Sequence, residues 1–419
     1  MKRPSHAGLR VAHDRGASLP ALSETVLRMI WQERQISRAD IARTTGLSRS
    51  TVTELVDDLL PTGLVAETGV GPSRGGRPPI VLEFLDDAGV LLGVDMGAAH
   101  IAVALTDLRG QVLVWRHAYH SVRTDPEGSR EVIDRLCAEC LAERPGSRRL
   151  LVGIGIAVPS PVDPAHPDRL SEIVLPDWKG QGGFKKLAAR YRVPVFLDND
   201  ANLGALAERW WGAGRGVDDF AYIKVATGVG SGHFLQGRIY RGATGVAGEI
   251  GHLAIDPRGN TCVCGLRGCL VTIVGSAALI ERACELRKQH PRSILGKGRP
   301  TVESIEEAAL AGDPLAMQVV SEAAGTLGIA VSGLLNLMNP KLVILGGGFS
   351  RLGELLLVPL RDSIRNRTLV SSLIAALVRT SELGPRSIAV GAATMVLDAA
   401  LADARLFPIP ETLPKAVRA

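Results

Sequence analysis

Three of the six cysteines crowd into eight residues, Cys262, Cys264 and Cys269, and a histidine, His252, stands ten residues before the first of them. One imidazole and three thiolates suit a closed tetrahedral zinc site. The short Cys-x-Cys and Gly-x-x-Gly-Cys spacing folds a knuckle around such an ion, and four protein ligands leave no open position for water, so the expected role is structural. This crowding is unlike the spread of a disulfide framework. Cys137 and Cys140 form a second close pair, but it lies in a helical pattern with no histidine nearby and reads as two side chains packed on one helix face.

A chain of 419 residues, 46% of them hydrophobic, exceeds the size at which a single core stops growing, and two or three packed units are expected. The net charge of +5 is a small excess of 48 basic over 43 acidic residues. It does not by itself argue for a nucleic-acid partner. Residues 1–80 carry 11 Lys and Arg against 8 Asp and Glu, and there the placement of the charges says more than their sum. Met1-Lys2-Arg3 is not followed by an apolar stretch of signal-peptide length, and no apolar run approaches the roughly 18 residues of a membrane span. The protein is expected in the cytoplasm, with no membrane partner.

Residues 1–19 read as a flexible arm. From Leu22 the pattern turns helical: Leu22, Val26, Met29 and Ile30 share a face, and Ser37 with Asp40 three residues later resembles an N-terminal cap before Ile41 and Ala42. After Gly46, Ser48 can cap a third helix, whose buried stripe is Val52, Leu55, Val56, Leu59 and Leu60 until Pro61 and Gly63 end it. Two strand-like runs, Leu64 to Glu67 and Ile80 to Glu83, flank a segment rich in Gly, Pro and Arg. This is the pattern of a winged helix-turn-helix over residues 20–85. The second helix of the helix-turn-helix pair, the third in the chain, would enter the major groove of a double-stranded DNA operator. There Arg49, Ser50, Thr51 and Thr53 are the residues expected to reach bases or phosphates, with Arg74 and Arg77 on the wing. A protein-interaction module is the alternative use of the three helices.

From about Gly89 strands and helices alternate. Strands are expected near 90–94, 101–105, 150–157, 193–197, 220–225 and 341–345, and helices near 128–142, 201–210, 275–289 and 315–338. The turns Gly93-Val94-Asp95-Met96-Gly97 and Val225-Ala226-Thr227-Gly228-Val229-Gly230 open two halves in a similar way. An α/β domain of two lobes over residues 89–405, with a ligand cleft between them and a tail over 406–419, follows from this pattern.

The stretch Gly245-Val246-Ala247-Gly248-Glu249-Ile250-Gly251-His252, followed by Cys262-Val263-Cys264-Gly265-Leu266-Arg267-Gly268-Cys269, resembles the ROK family (repressor, open reading frame, kinase). Its members include bacterial sugar kinases and sugar-responsive repressors, and the resemblance runs from about Leu22 to about Leu401. It implies a two-lobed actin-like ATPase-type (sugar-kinase-like) fold with an appended winged helix in regulators. It also implies a sugar site at Asn199, Asp200, Glu249 and His252, with His252 serving zinc and sugar through different ring nitrogens. Asp200 matches the general base of the kinases. The loop Ala157-Val158-Pro159-Ser160-Pro161-Val162 resembles the turn that lines the same cleft.

Two departures from the family pattern argue against catalysis. The kinases' Asp-x-Gly-Gly-Thr phosphate loop reads Asp95-Met96-Gly97-Ala98-Ala99 here, with two added methyl groups and no hydroxyl, while Thr227 to Gly232 and Gly346-Gly347-Gly348 persist. Val271 stands where the family has a sugar-binding Glu, so a hydroxyl there would lack an acceptor. The expectation is a regulator with a sugar or sugar derivative as effector, acting on DNA as a homodimer or homotetramer. An ATP-dependent sugar kinase carrying a DNA-binding domain, or a regulator with a vestigial sensor that answers a protein partner, are the alternatives.

Overall fold

Ser37 and Ser48 begin two helices by the same device: each hydroxyl accepts the amide of the third residue onward, Asp40 and Thr51, at 3.1 Å. The computed structural model describes residues 19–71, 78–368 and 377–408. Its first helices are α1 (Leu19–Glu33), α2 (Arg38–Thr45) and α3 (Arg49–Leu59). Gly46, in the left-handed region at φ 72°, closes α2. The strands β1 (Gln35–Ser37), β2 (Val65–Val70) and β3 (Ile80–Phe84) make an antiparallel sheet in the order β1-β3-β2. Of the expected stripe, Val52, Leu55, Val56 and Leu59 are buried against Val26, Ile30 and Ile41, while Leu60 is half-buried and begins the 3₁₀ turn Leu60–Thr62 after α3.

Two five-stranded sheets follow. The first holds β4 (Val90–Met96), β5 (His100–Thr106), β6 (Val112–Tyr119), β7 (Leu151–Val158) and β8 (Val195–Asn199) in the order β6-β5-β4-β7-β8. The second holds β9 (Phe220–Val225), β10 (Val229–Leu235), β11 (Arg238–Tyr240), β12 (Leu342–Gly346) and β13 (Val378–Thr380) in the order β11-β10-β9-β12-β13. Each is a three-stranded antiparallel meander extended by two parallel strands. The two halves thus share one plan, as their opening turns suggested.

Helices α4 (Pro126–Ala142) and α5 (Lys185–Tyr191) accompany the first sheet. The second carries α7 (Val271–Val274), α8 (Ser276–Leu286), α9 (Val302–Leu310), α10 (Pro314–Met338) and α11 (Glu354–Arg365). Between the sheets lie α6 (Asp200–Trp211), on β9 and β10, and α12 (Ser387–Ala402), on β4 and β7. The two helices meet at Gly391, where a Cβ would fall 1.8 Å from the Leu203 carbonyl oxygen. Glycine permits this approach because no other residue lacks the carbon that would collide. Cys137 and Cys140 lie on the buried face of α4, as expected, and burial pushes the Cys140 thiol up to about 12.

The structure revises three expectations. The sequence pattern did not mark β1, β6, β10, β11, β13, α5, α7, α9, α11 or α12. Helix α12 is apolar on nearly every side because protein surrounds it, and such a helix has no stripe to find. Phe407, assigned to the tail, is buried against Phe84 with ring centroids 6.2 Å apart. Finally, Pro314–Met338 and Gly384–Ala402 are long and apolar enough by length and composition to cross a membrane, contrary to the expectation that no run reaches that size. Most of each lies buried inside the protein, as in core helices.

Candidate functional site

The cleft between the sheets encloses about 690 Å³. Its walls include Ser160, Asn199, Asp200, Glu249, His252 and Val271. The sequence stands these groups after β7 (Ser160), at the end of β8 and the N-terminus of α6 (Asn199, Asp200), in the loop after β11 (Glu249, His252) and at the start of α7 (Val271), so the apposition of the two lobes brings them together.

Asn199 is chiefly a helix cap. Its Oδ1 accepts from the amides of Ala201 (2.9 Å) and Asn202 (3.2 Å), and its Nδ2 donates to the Ser160 carbonyl at 3.2 Å. One amide hydrogen is left for a ligand. Asp200 is buried, with Oδ2 accepting from Lys224 Nζ at 2.5 Å. Burial, and next the negative charge of Asp200, push the Glu249 carboxyl up to about 7. Asp198, deeper in the wall, is held by Arg241 at 2.6 Å and by Asn202 at 3.2 Å.

The knuckle beside the cleft brings His252, Cys262, Cys264 and Cys269 together, with one candidate ligand atom from each lying within 4.8 Å of the others. Cys262 Sγ is 3.6 Å from His252 Nδ1, and Cys264 Sγ is 3.7 Å from Cys269 Sγ. Zinc bonds of about 2.3 Å to sulfur and 2.0–2.1 Å to nitrogen in a tetrahedron require ligand separations of about 3.6 to 3.8 Å. The residues therefore fit a metal ion, with soft thiolates as the donor majority. The other ring nitrogen of His252, Nε2, lies 3.8 Å from Glu249 Oε2. Gly268, at φ 63°, presses its Cα hydrogens towards the Asp256 carbonyl, where a Cβ would sit 1.5 Å away. The knuckle cannot close with another residue at that position.

At the other end of the molecule α3 leaves Arg49, Ser50 and Thr53 exposed and Thr51 half-buried. The hydroxyls are locally engaged: Ser48 with Ser50 and with Thr51 at 2.8 Å, and Thr53 donating to the Arg49 carbonyl at 2.9 Å. The Arg49 guanidinium projects from the first turn. Arg74 and Arg77 lie outside the described residues.

Sequence reasoning passed over two residues that line the cleft, His100 and Lys224. The signal for Lys224 was present: a lone lysine inside the apolar run Phe220-Ala221-Tyr222-Ile223-Lys224-Val225, one strand end before a glycine turn. A cation there must find buried carboxylate partners.

Two like-built α/β lobes closing on a cleft define the actin-like, sugar-kinase-type class of fold. The profile of the ROK family matches residues 91–399, and the chain belongs to the ROK family. It is 32% identical over 378 residues to the xylose repressor of Caldicellulosiruptor bescii, covering 89% of this chain and 94% of that protein. It is 31% identical over 381 residues to the DNA-binding transcriptional dual regulator NagC of Escherichia coli, covering 90% and 93%. Among solved structures, a ROK family transcriptional regulator homologous to the E. coli MLC protein superposes with a TM-score of 0.77 at 27% identity, covering 93% of this chain and 98% of that one. A ROK family glucokinase from Streptomyces griseus, in complex with glucose and AMPPNP, superposes with a TM-score of 0.65 at 32% identity over 73% of this chain and 99% of its own. The chain is a transcriptional regulator of ROK type.

Proposed function

We propose that this protein represses carbohydrate-related genes from the cytoplasm by binding double-stranded operator DNA, and that a sugar or sugar derivative in the cleft modulates that binding. The reading divides the chain into a winged helix-turn-helix over 20–85 and a sensor over 89–405, with Phe407 extending the packed region. The observation that carries it is the coexistence of the serine-capped α2–α3 pair, presenting Arg49, with a cleft walled by Asp200 and Glu249. Likeness to repressors over 89–90% of the chain supports it. The glucokinase covers only 73% of this chain.

In this reading α3 lies in the major groove, Arg49 reads a base bidentately, Ser50, Thr51 and Thr53 meet bases or phosphates, and Arg74 and Arg77 steady the wing. Two copies, or four, bind an inverted repeat. Asn199, Asp200, Glu249 and the Nε2 side of His252 take the hydroxyls of the ligand, while zinc on His252 Nδ1, Cys262, Cys264 and Cys269 holds the knuckle in shape. A ligand preferring one separation of the lobes shifts operator affinity by its differential affinity for the two states. The site binds rather than transfers, because the turn after β4 carries Ala98 and Ala99 where a phosphate loop would place a glycine and a hydroxyl.

The test starts from duplexes selected in vitro against the full chain. Arg49→Ala should lose about 1–3 kcal/mol on the selected site and relax base preference there. Equal binding of wild type and variant would sink the assignment of α3. Failure to select any sequence would sink DNA recognition itself.

A further inference from the structure

His100 and Lys224 both line the cleft where the two glycine turns face it, His100 beside Asp95 and Lys224 beside Asp200. Lys224 comes from β9 in the second sheet, and its ammonium is buried against Asp200. Burial disfavours its charge, but Asp200 and next Asp95 outweigh that and raise its pKa above the usual lysine value. Asp95 stands on β4 in the first sheet, 3% exposed. Its Oδ2 is 3.2 Å from His100 Nε2, and its Oδ1 has no hydrogen-bond partner. The imidazole of His100 lies over the turn itself: a Cβ on Gly97 would fall 2.3 Å from ring atom Cε1.

A nucleoside triphosphate docked on such turns needs two things at this place. Backbone amides of the glycine turn must be open to phosphate oxygens, and a divalent cation must sit between carboxylates and phosphates. Here a ring covers the first, and an ammonium fixed among the carboxylates repels the second. We propose that His100 and Lys224 close the phosphoryl half of the cleft, the one as a plug on the Gly97 turn and the other as a built-in cation in place of magnesium. The cleft then accepts an uncharged polyhydroxylated ligand and refuses MgATP. Asp200, with one oxygen taken by Lys224, keeps the other to accept a hydroxyl but is no longer free to take its proton.

This rests on the sensor reading only in taking the cleft as the ligand site, and the test needs no sugar and no DNA. Equilibrium dialysis of the full chain with labelled MgATP should give no saturable binding by wild type up to about 1 mM. His100→Ala should bind at least about tenfold more tightly, a gain of about 1.4 kcal/mol. His100→Gln, which keeps the bulk, should still refuse. Adding Lys224→Met to His100→Ala should tighten binding again, and only when Mg²⁺ is present. Thermal melts show that each variant folds, and His100→Ser repeats the test if His100→Ala does not. Wild type binding MgATP as tightly as His100→Ala would overturn the proposal, and so would refusal by every folded variant. Titrating wild type with glucose, xylose and N-acetylglucosamine in the absence of nucleotide tests the sensor reading separately.

Discussion

His233, on β10, carries a pH dependence that its surroundings dictate. It is buried, its Nε2 is 2.9 Å from Ser231 Oγ, and burial lowers its pKa from 6.5 to about 4. A group whose folded pKa lies below its unfolded value favours folding while it is neutral in both states. That contribution is complete above pH 6.5 and fades as pH falls towards 4, since only the unfolded chain then takes up the proton. The shift corresponds to about 3 kcal/mol. His233→Gln should flatten the fall in stability between pH 6.5 and 4, followed by urea midpoints across that range. An unchanged slope would assign the acid sensitivity elsewhere. Singly, the important residues differ in legibility. The clustering of His252 and the three cysteines was legible because a group able to hold a metal restricts residue type and spacing. Lys224 was not, because its partners Asp200 and Asp95 stand 24 and 129 positions away in the chain and only folding brings them near.

At the scale of elements, the knuckle from Glu249 to Cys269 has almost no regular structure, only the 3₁₀ turn Ile250–His252 and isolated bridges such as Ala254 with Cys269 and Thr261 with Arg267. Four side chains converging on one point must supply the order that hydrogen-bonded ladders supply elsewhere. One zinc per chain is expected by elemental analysis, with Cys264→Ser lowering both zinc content and thermal stability. Well under one zinc in correctly folded wild type would refute the ligand assignment. The elements with strong patterns, α3 and α10, stood where the apolar spacing put them. Asp200 and Asn199 illustrate the opposite limit: an Asn-Asp pair at a strand end can serve a sugar or start a helix, and the structure gives Asn199 largely to the cap while Asp200 faces the cleft.

At the scale of the molecule, the helices at the N-terminus are seated on the first lobe and on the ends of the two helices between the sheets. Trp31 of α1 packs against Trp210 and Trp211 at 5.1 and 6.0 Å between ring centroids and donates from Nε1 to the Leu108 carbonyl at 3.1 Å. Arg109 lies over the same ring at 4.9 Å, and Arg28 pairs with Asp398 of α12 at 2.8 Å. The tryptophan pair ends α6, whose other end is Asp200 in the cleft. Emptying this joint by Trp31→Ala should cost about 3–5 kcal/mol. Chemical denaturation should then show an early transition for the N-terminal helices. One unsplit transition at the wild-type midpoint would mean that the joint contributes little.

The sequence by itself determined the local matters: the serine caps, the apolar stripes of α1 to α3, the alternation of strands and helices, and the clustering of His252 with three cysteines, each set by neighbours within a few residues or by chemistry that tolerates few residue types. Only the tertiary structure decided that α12, featureless as a pattern, runs through the centre, that Phe407 belongs to the core, and that His100 and Lys224 occupy the cleft. These depend on contacts between residues far apart in the chain, and burial on all sides erases the polar–apolar contrast from which position is read.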